Sequence, residues 1–382
     1  MQIHPTLPVT LKSKFRGCIL GAIVGDCMGA RFGKSPSPLA YVANRIEPAS
    51  LRNQIPRNGG RFLFPFGVDS LMIFAASEVL RENIPRQSDQ PTLQTHMFEK
   101  LQAVLKRENQ SSSSIQWGVG TRHVLENAGA VDSNKLRNNC GITRALVSGL
   151  VDAERTAEPI CAATHTHQMA VNGAKTIARA VNIGVSENRA LIPTDLGDMS
   201  SYASLVIKAH NLATFAPYDE QDEFEMNLQD RFAARFGRDA SSQCSVAASL
   251  FALYRTIHSL PHLDASSEEY IARIKEVSRA GAAKEKKGLS LNTFGNSNRL
   301  DTAGMFSGLT PSIEQDLPVA LSVAWAISVG GDVRSNACLA GGLAGSIWGE
   351  EGIPPEWLMF CEGVDLGIQA ADSLFDLVAD QN

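Results

Sequence analysis

SKFRGCILGAIVGDCMGA, residues 13–30, is the stretch on which the architecture turns. Apolar side chains stand at 15, 19, 20, 23 and 24, the spacing of a buried helical face, and Ser13 is a candidate N-cap. Glycines at 17, 21, 25 and 29 recur every fourth residue, so one face is nearly bare backbone. In a soluble chain that pattern implies a second helix or a loop packed very close. Asp26 interrupts the apolar run, and a buried carboxylate must be hydrogen-bonded or paired. We read it as holding a loop by accepting backbone N–H bonds.

Outward from this helix, the same 3.6-residue periodicity predicts helices over 69–82, 92–107, 141–153, 168–185, 200–215, 244–260 and 266–282. It resumes over 318–329, 336–348, 354–362 and 365–379. Residues 36–60 read as loop with short helical pieces, and 108–114 and 284–316 as loops. Period-two alternation of β-branched residues is almost absent, so the expected class is all-α. With no change of composition and no linker, one domain is expected, covering 13–382 after an N-terminal extension of 1–12.

The chain has 382 residues, 44% hydrophobic and 20% charged, with net charge −5. Lys and Arg are scattered apart from Lys284-Glu285-Lys286-Lys287, which leaves neither a basic stripe for nucleic acid nor a membrane anchor. Seven dispersed cysteines, with no Cys-x-x-Cys, read as buried reduced thiols and not as a zinc cluster. The first ten residues lack the pattern of a signal peptide, and the apolar run 17–30 is too short to span a bilayer. A cytoplasmic protein is the expectation.

The second informative segment is Gly330-Gly331-Asp332-Val333-Arg334-Ser335, between an apolar run (317–329) and a small-residue run (337–349). Such a helix-loop-helix junction can present carboxylates to Mg²⁺, which takes oxygen ligands. Arg334 opposes this. Two unit charges about 4 Å apart interact by roughly 4 kcal/mol at an effective dielectric near 20, and exchanging a −1 for a +1 group beside a dication multiplies that about fourfold. Arg334 is instead a candidate for the cation position itself, neutralising Asp69 and Asp332. Asp69 can also be read as a helix cap. His165 and His167 do not have helical zinc spacing and read as capping or core residues. Glu350 and Glu351 read as solvated.

These pieces, in this order, resemble the ADP-ribosylglycohydrolases, especially the ADP-ribosylserine hydrolase branch. The segment 13–30 resembles the opening helix, and GGDVRSNACLAGGLAGSIWG (330–349) the C-terminal Gly-Gly-Asp-Thr-Asp-Thr signature. THTHQMAVNGAKTIARAV (164–181) resembles the Thr-His helix start, and Phe66 to Met72 lies where the family carries Thr-Asp-Asp-Thr-x-Met. The resemblance implies a single-domain orthogonal helical bundle, two Mg²⁺ ions in a cleft, and cleavage of ADP-ribose links. It also implies that Asp69, Ser70, Asp332 and Ser335 are what remains of the metal site, while Gly33, Gly67, Val68 and Arg334 stand at replaced ligand positions. Asn139, Gly141 and His165 match positions near the nucleotide. In keeping the glycine signatures and losing ligands, the chain is similar to the jellyfish lens crystallins of this fold. Three expectations stay open: a structural protein without cofactor, a hydrolase with one Mg²⁺, and a non-hydrolysing ADP-ribose binder.

Overall fold

The computed structural model describes residues 9–37, 39–46, 64–110, 115–127, 135–196, 200–214, 221–259 and 317–380. Helix α1 spans Leu11–Gly29, two residues longer at its start than expected; Thr10, not Ser13, is its cap, its side chain accepting the Ser13 N–H at 3.1 Å. Each glycine costs a helix roughly 1 kcal/mol relative to Ala, so α1 with four of them needs tertiary contact to be stable. That contact is α14 (Val333–Trp348). A Cβ on Gly17 would lie 2.5 Å from the Gly345 oxygen, and one on Gly25 would lie 2.5 Å from the Ala337 carbonyl carbon. The two helices touch backbone to backbone.

Around this pair stand α2 (Leu39–Ile46), α3 (Val68–Asn83), α4 (Gln90–Gln110), α5 (Val119–Glu126), α6 (Cys140–Thr143), α7 (Ala145–Val151), α8 (Ala153–Ala162) and α9 (Gln168–Glu187). They are followed by α10 (Ser200–Thr214), α11 (Gln221–Phe236), α12 (Ser242–Ser259), α13 (Pro318–Ser328), α15 (Pro355–Phe360) and α16 (Val364–Ala379). Among the described residues there is no strand, only the isolated bridges Phe64–Cys361 and Asn138–Ser241. The fold is all-α. One large apolar core runs through it, with a smaller alanine-rich cluster where α7, α8 and α9 meet. No described helix is long and apolar enough to cross a membrane.

The sequence misses α5, α8 and α11, and it joins 141–153 into one helix. The chain there breaks at Arg144, whose wholly buried guanidinium donates to the Ile160 and Cys161 carbonyls at 2.6 and 2.7 Å. Those are C-terminal carbonyls of α8, the negative end of its dipole. Asp152 then caps α8 through the Arg155 N–H at 3.1 Å. Helix α4 runs on to Gln110, into the expected loop. The helix expected over 266–282 and the loop over 284–316 lie outside the described residues. Glu350 and Glu351 are not simply solvated: Glu351 accepts the Ser13 hydroxyl, and Glu350 pairs with Arg16 at 3.4 Å. Arg16 also holds Asp372 on α16 through two parallel bonds of 2.7 and 2.8 Å.

Between α13 and α14 the chain reverses through Gly330 (φ +78°) and Gly331 (φ +84°), left-handed values that favour glycine. The Gly331 N–H is tied to the Lys34 carbonyl at 2.7 Å. The turn leaves Asp332 as the first residue flanking α14, with its carboxylate not spent on capping.

Candidate functional site

Three aspartates from three elements meet near the C-terminal end of α1. Asp26 is fully buried and saturated. One oxygen, Oδ2, accepts the Gly67 N–H at 2.7 Å, the Ser70 N–H at 3.2 Å and the Ser70 hydroxyl at 2.7 Å. Gly67 and Ser70 are the cap position and third residue of α3, whose own cap has no side chain to offer. Asp26 thus performs the N-cap's task from another helix, and its charge sits at the positive end of the α3 dipole. Its expected role, holding a loop through backbone N–H groups, is what the geometry provides.

The other Asp26 oxygen faces Arg334. Nε donates to it at 2.8 Å, and Nη2 lies 2.8 Å away without the alignment of a hydrogen bond. Burial pulls the Arg334 guanidinium down, but Asp26, with help from Asp69, more than reverses this and leaves it above its ordinary value. The expected partners of Arg334 were Asp69 and Asp332; the bonded partner is Asp26. The reason is position: Arg334 sits in the first turn of α14, with its Cα 2.8 Å from where a Gly29 Cβ would be, which places the side chain beside the end of α1. Gly67 completes the arrangement. A Cβ there would lie 2.5 Å from the Arg334 guanidinium carbon and 2.9 Å from the Asp26 carboxylate. The absence of a side chain at 67 and the presence of arginine at 334 are therefore one spatial fact.

Asp69 is in the first turn of α3 and does not cap it. Its Oδ2 lies 2.8 Å from the Ser335 hydroxyl, while its Oδ1 is buried with no partner. Burial first, then the charges of Asp26 and Asp332, push its carboxyl up to about 8. Asp332 lies 3.3 Å from the same Ser335 hydroxyl and accepts from Asn139 at 2.9 Å. One hydroxyl proton cannot serve both carboxylates. A carboxyl titrating near 8 is protonated at neutral pH and can donate to Ser335, which frees the Ser335 proton for Asp332.

The remaining sequence candidates fall around this cluster. Asn139 joins it, donating to Ser245 at 2.8 Å as well as to Asp332. Val68 is the first residue of α3, and Gly33 is exposed with nothing within 4 Å of an added Cβ. His165 is wholly buried, engaged by Thr164 at 2.7 Å and by Asn138. Burial, then Arg144, hold its imidazole well below the usual range and so neutral. Gly141 is a packing glycine, its missing Cβ leaving room for Cys161 and His165. His167 is the capping histidine, accepting the Met169 N–H at 3.1 Å. Burial pushes the Cys140 thiol up to about 12, which suits no nucleophile. The sequence missed Ser245 as a member of this network, and nothing in its surroundings signalled it.

The ADP-ribosylglycohydrolase family pattern matches residues 7–382. Among curated proteins, the chain is 23% identical to ADP-ribosylhydrolase ARH3 of Danio rerio, over 97% of this chain and 92% of that protein. It is 24% identical to ADP-ribosylhydrolase ARH3 of Gallus gallus, over 97% and 94% respectively. Among solved structures, an "ADP-ribosylglycohydrolase-related protein complex" aligns with a TM-score of 0.53 at 15% identity, covering 96% of this chain and 99% of that one.

Proposed function

This chain belongs to the ADP-ribosylglycohydrolase family, and we propose that it keeps the family fold without the two-metal hydrolytic chemistry, in a structural role like that of the lens crystallins it resembles. The observation that carries this reading is the Arg334 guanidinium bonded to Asp26, in contact distance of Gly67. A two-metal centre needs several carboxylates to gather two dications. At the positions where the resemblance expects ligands the chain holds Gly33, Gly67, Val68 and Arg334. The residues present do not fit two Mg²⁺ ions, and we derive no catalytic step through them.

One feature favours a second reading. The buried Asp69 Oδ1 without a partner is an atom that a single Mg²⁺ could satisfy, with Asp332 and Ser335 beside it. That would give a hydrolase with a reduced site; a non-hydrolysing binder of ADP-ribose would need no metal. Calorimetric titration with Mg²⁺, then with ADP-ribose in the presence and absence of a chelator, separates the readings. Under the structural reading neither titrant gives heat, and a serine-linked ADP-ribosyl peptide stays intact. Chelator-sensitive binding with release of ADP-ribose would establish the one-metal hydrolase. Binding that ignores the chelator would establish the binder.

A further inference from the structure

A cavity of about 460 Å³ lies between α3, α4 and α16. Its volume is in the range that takes small-molecule ligands. Phe66 and Phe74 are among its apolar lining residues, stacked edge to face with centroids 5.7 Å apart, and Val104 adds to that surface. Leu366, half exposed, also lines it. The charges are unbalanced. Arg81, Lys100 and Arg107 all line the cavity, against Glu78 as the one carboxylate among its lining residues. Glu78 is taken by Lys100. Arg81 and Arg107 are exposed and form no ion pair among the described residues. Two free guanidinium groups beside aromatic and aliphatic carbon, on a chain of net charge −5, are complementary to one kind of molecule.

We propose that this cavity binds a small amphipathic anion, a single phosphate or carboxylate head on a short apolar chain. Arg81 and Arg107 meet the head with charge-assisted hydrogen bonds, and the Phe74–Val104 side takes the chain. The site shares no residue with the aspartate cluster, so it stands or falls separately from the proposed function. The probe is octyl phosphate below its micelle concentration, titrated calorimetrically into the full chain, with octanol and inorganic phosphate as partial ligands. We expect one saturable site, with each partial ligand at least ten-fold weaker. The Arg81→Ala/Arg107→Ala variant changes only exposed side chains, and an unchanged melting temperature will show that it folds. It should bind octyl phosphate at least ten-fold more weakly. Leu366→Asp, which puts a like charge beside the ligand, should do the same. Wild-type affinity in both variants, or octanol binding as well as octyl phosphate, would overturn the proposal. So would association with phosphatidic acid vesicles alone, with no response to monomeric octyl phosphate, because that describes a membrane surface and not a cavity.

Discussion

Between Gly17 and Gly25, α1 touches α14 with bare backbone; one residue further on, at Asp26, the same two helices are joined through charged side chains. At the seam the atoms in contact are carbonyl groups fixed by their own helical hydrogen bonds, so neither partner can step aside. At the charged end the Arg334 side chain is 38% exposed. The seam decides where residue 334 must be, and the side chains then settle what can be done there. Rigid geometry is inherited by the site, while chemistry is free to change. The glycine seam can therefore stay fixed whatever side chain stands at 334.

The comparison breaks most visibly at Gly345. A Cβ there would overlap the Gly17 carbonyl and lie 2.9 Å from the Cys18 backbone nitrogen. Gly345→Val should cost more than about 3 kcal/mol, at or beyond the upper end of overpacking effects, because only backbone could give way. Urea denaturation, or failure to recover folded protein, reads this out. A valine accommodated with under about 1 kcal/mol of loss would mean that the seam is looser than described.

At the charged end the losses should be smaller and coupled. Removing one partner of a fully buried ion pair costs about 3–5 kcal/mol. Here Arg334 is partly solvated and Asp26 keeps its three donors from Gly67 and Ser70, so Arg334→Ala should cost about 2 kcal/mol. Gly67→Ala displaces the guanidinium and should cost about 1–2 kcal/mol. In the double variant most of the clash is gone, so the two losses should add to less than their sum. Strict additivity in a denaturation cycle would show that residues 67 and 334 are not the single unit their geometry suggests.

The same contrast explains what could be read from the chain. The seam was legible because a glycine every fourth residue in an apolar helix has one physical use, although its partner helix was not nameable from spacing. Asp26 was legible because a carboxylate in that helix demands donors. The partner of Arg334 was not, since Asp26 lies 308 residues away in sequence and nearby acids offered a simpler pairing. The missed helices are short or strongly polar: α5 has eight residues, α8 has ten with Pro159 inside it, and α11 carries a charge at Asp222, Glu223, Glu225, Asp230, Arg231 and Arg235. Their apolar periodicity is too thin to stand out from loop.

Asp69 supplies a test by pH. Its carboxyl is raised to about 8 in the folded chain, from an ordinary value of 3.8. The folded state therefore binds more protons than the unfolded one between those limits, and stability falls as pH rises from about 4 to about 8. Asp69→Asn keeps the size of the side chain and removes the titration. It should flatten that slope and stabilise the protein near pH 8 by on the order of 1 kcal/mol. Unfolding midpoints at pH 5, 6.5 and 8 check the sign. If a cation satisfied Asp69, millimolar Mg²⁺ would abolish the wild-type slope; the structural reading expects no change.

The smallest effect belongs to Gly33, and it sharpens the comparison furthest because packing and charge give different answers there. Nothing lies within 4 Å of an added Cβ and the residue is exposed, so Gly33→Glu should alter stability by less than about 0.5 kcal/mol. The substitution returns a carboxylate to a position where the resemblance expects one. If loss of acids alone had emptied the site, this variant should gain some Mg²⁺ affinity. If Arg334 is the deciding element, one added negative charge leaves the guanidinium in place beside Asp26, and calorimetry should detect no Mg²⁺ binding. Adding Arg334→Asp to Gly33→Glu then becomes the informative step, since it alone removes the resident cation. Mg²⁺ binding by Arg334→Asp without Gly33→Glu would place the difference on a single side chain in the first turn of α14, whereas binding only in the pair would place it on both positions.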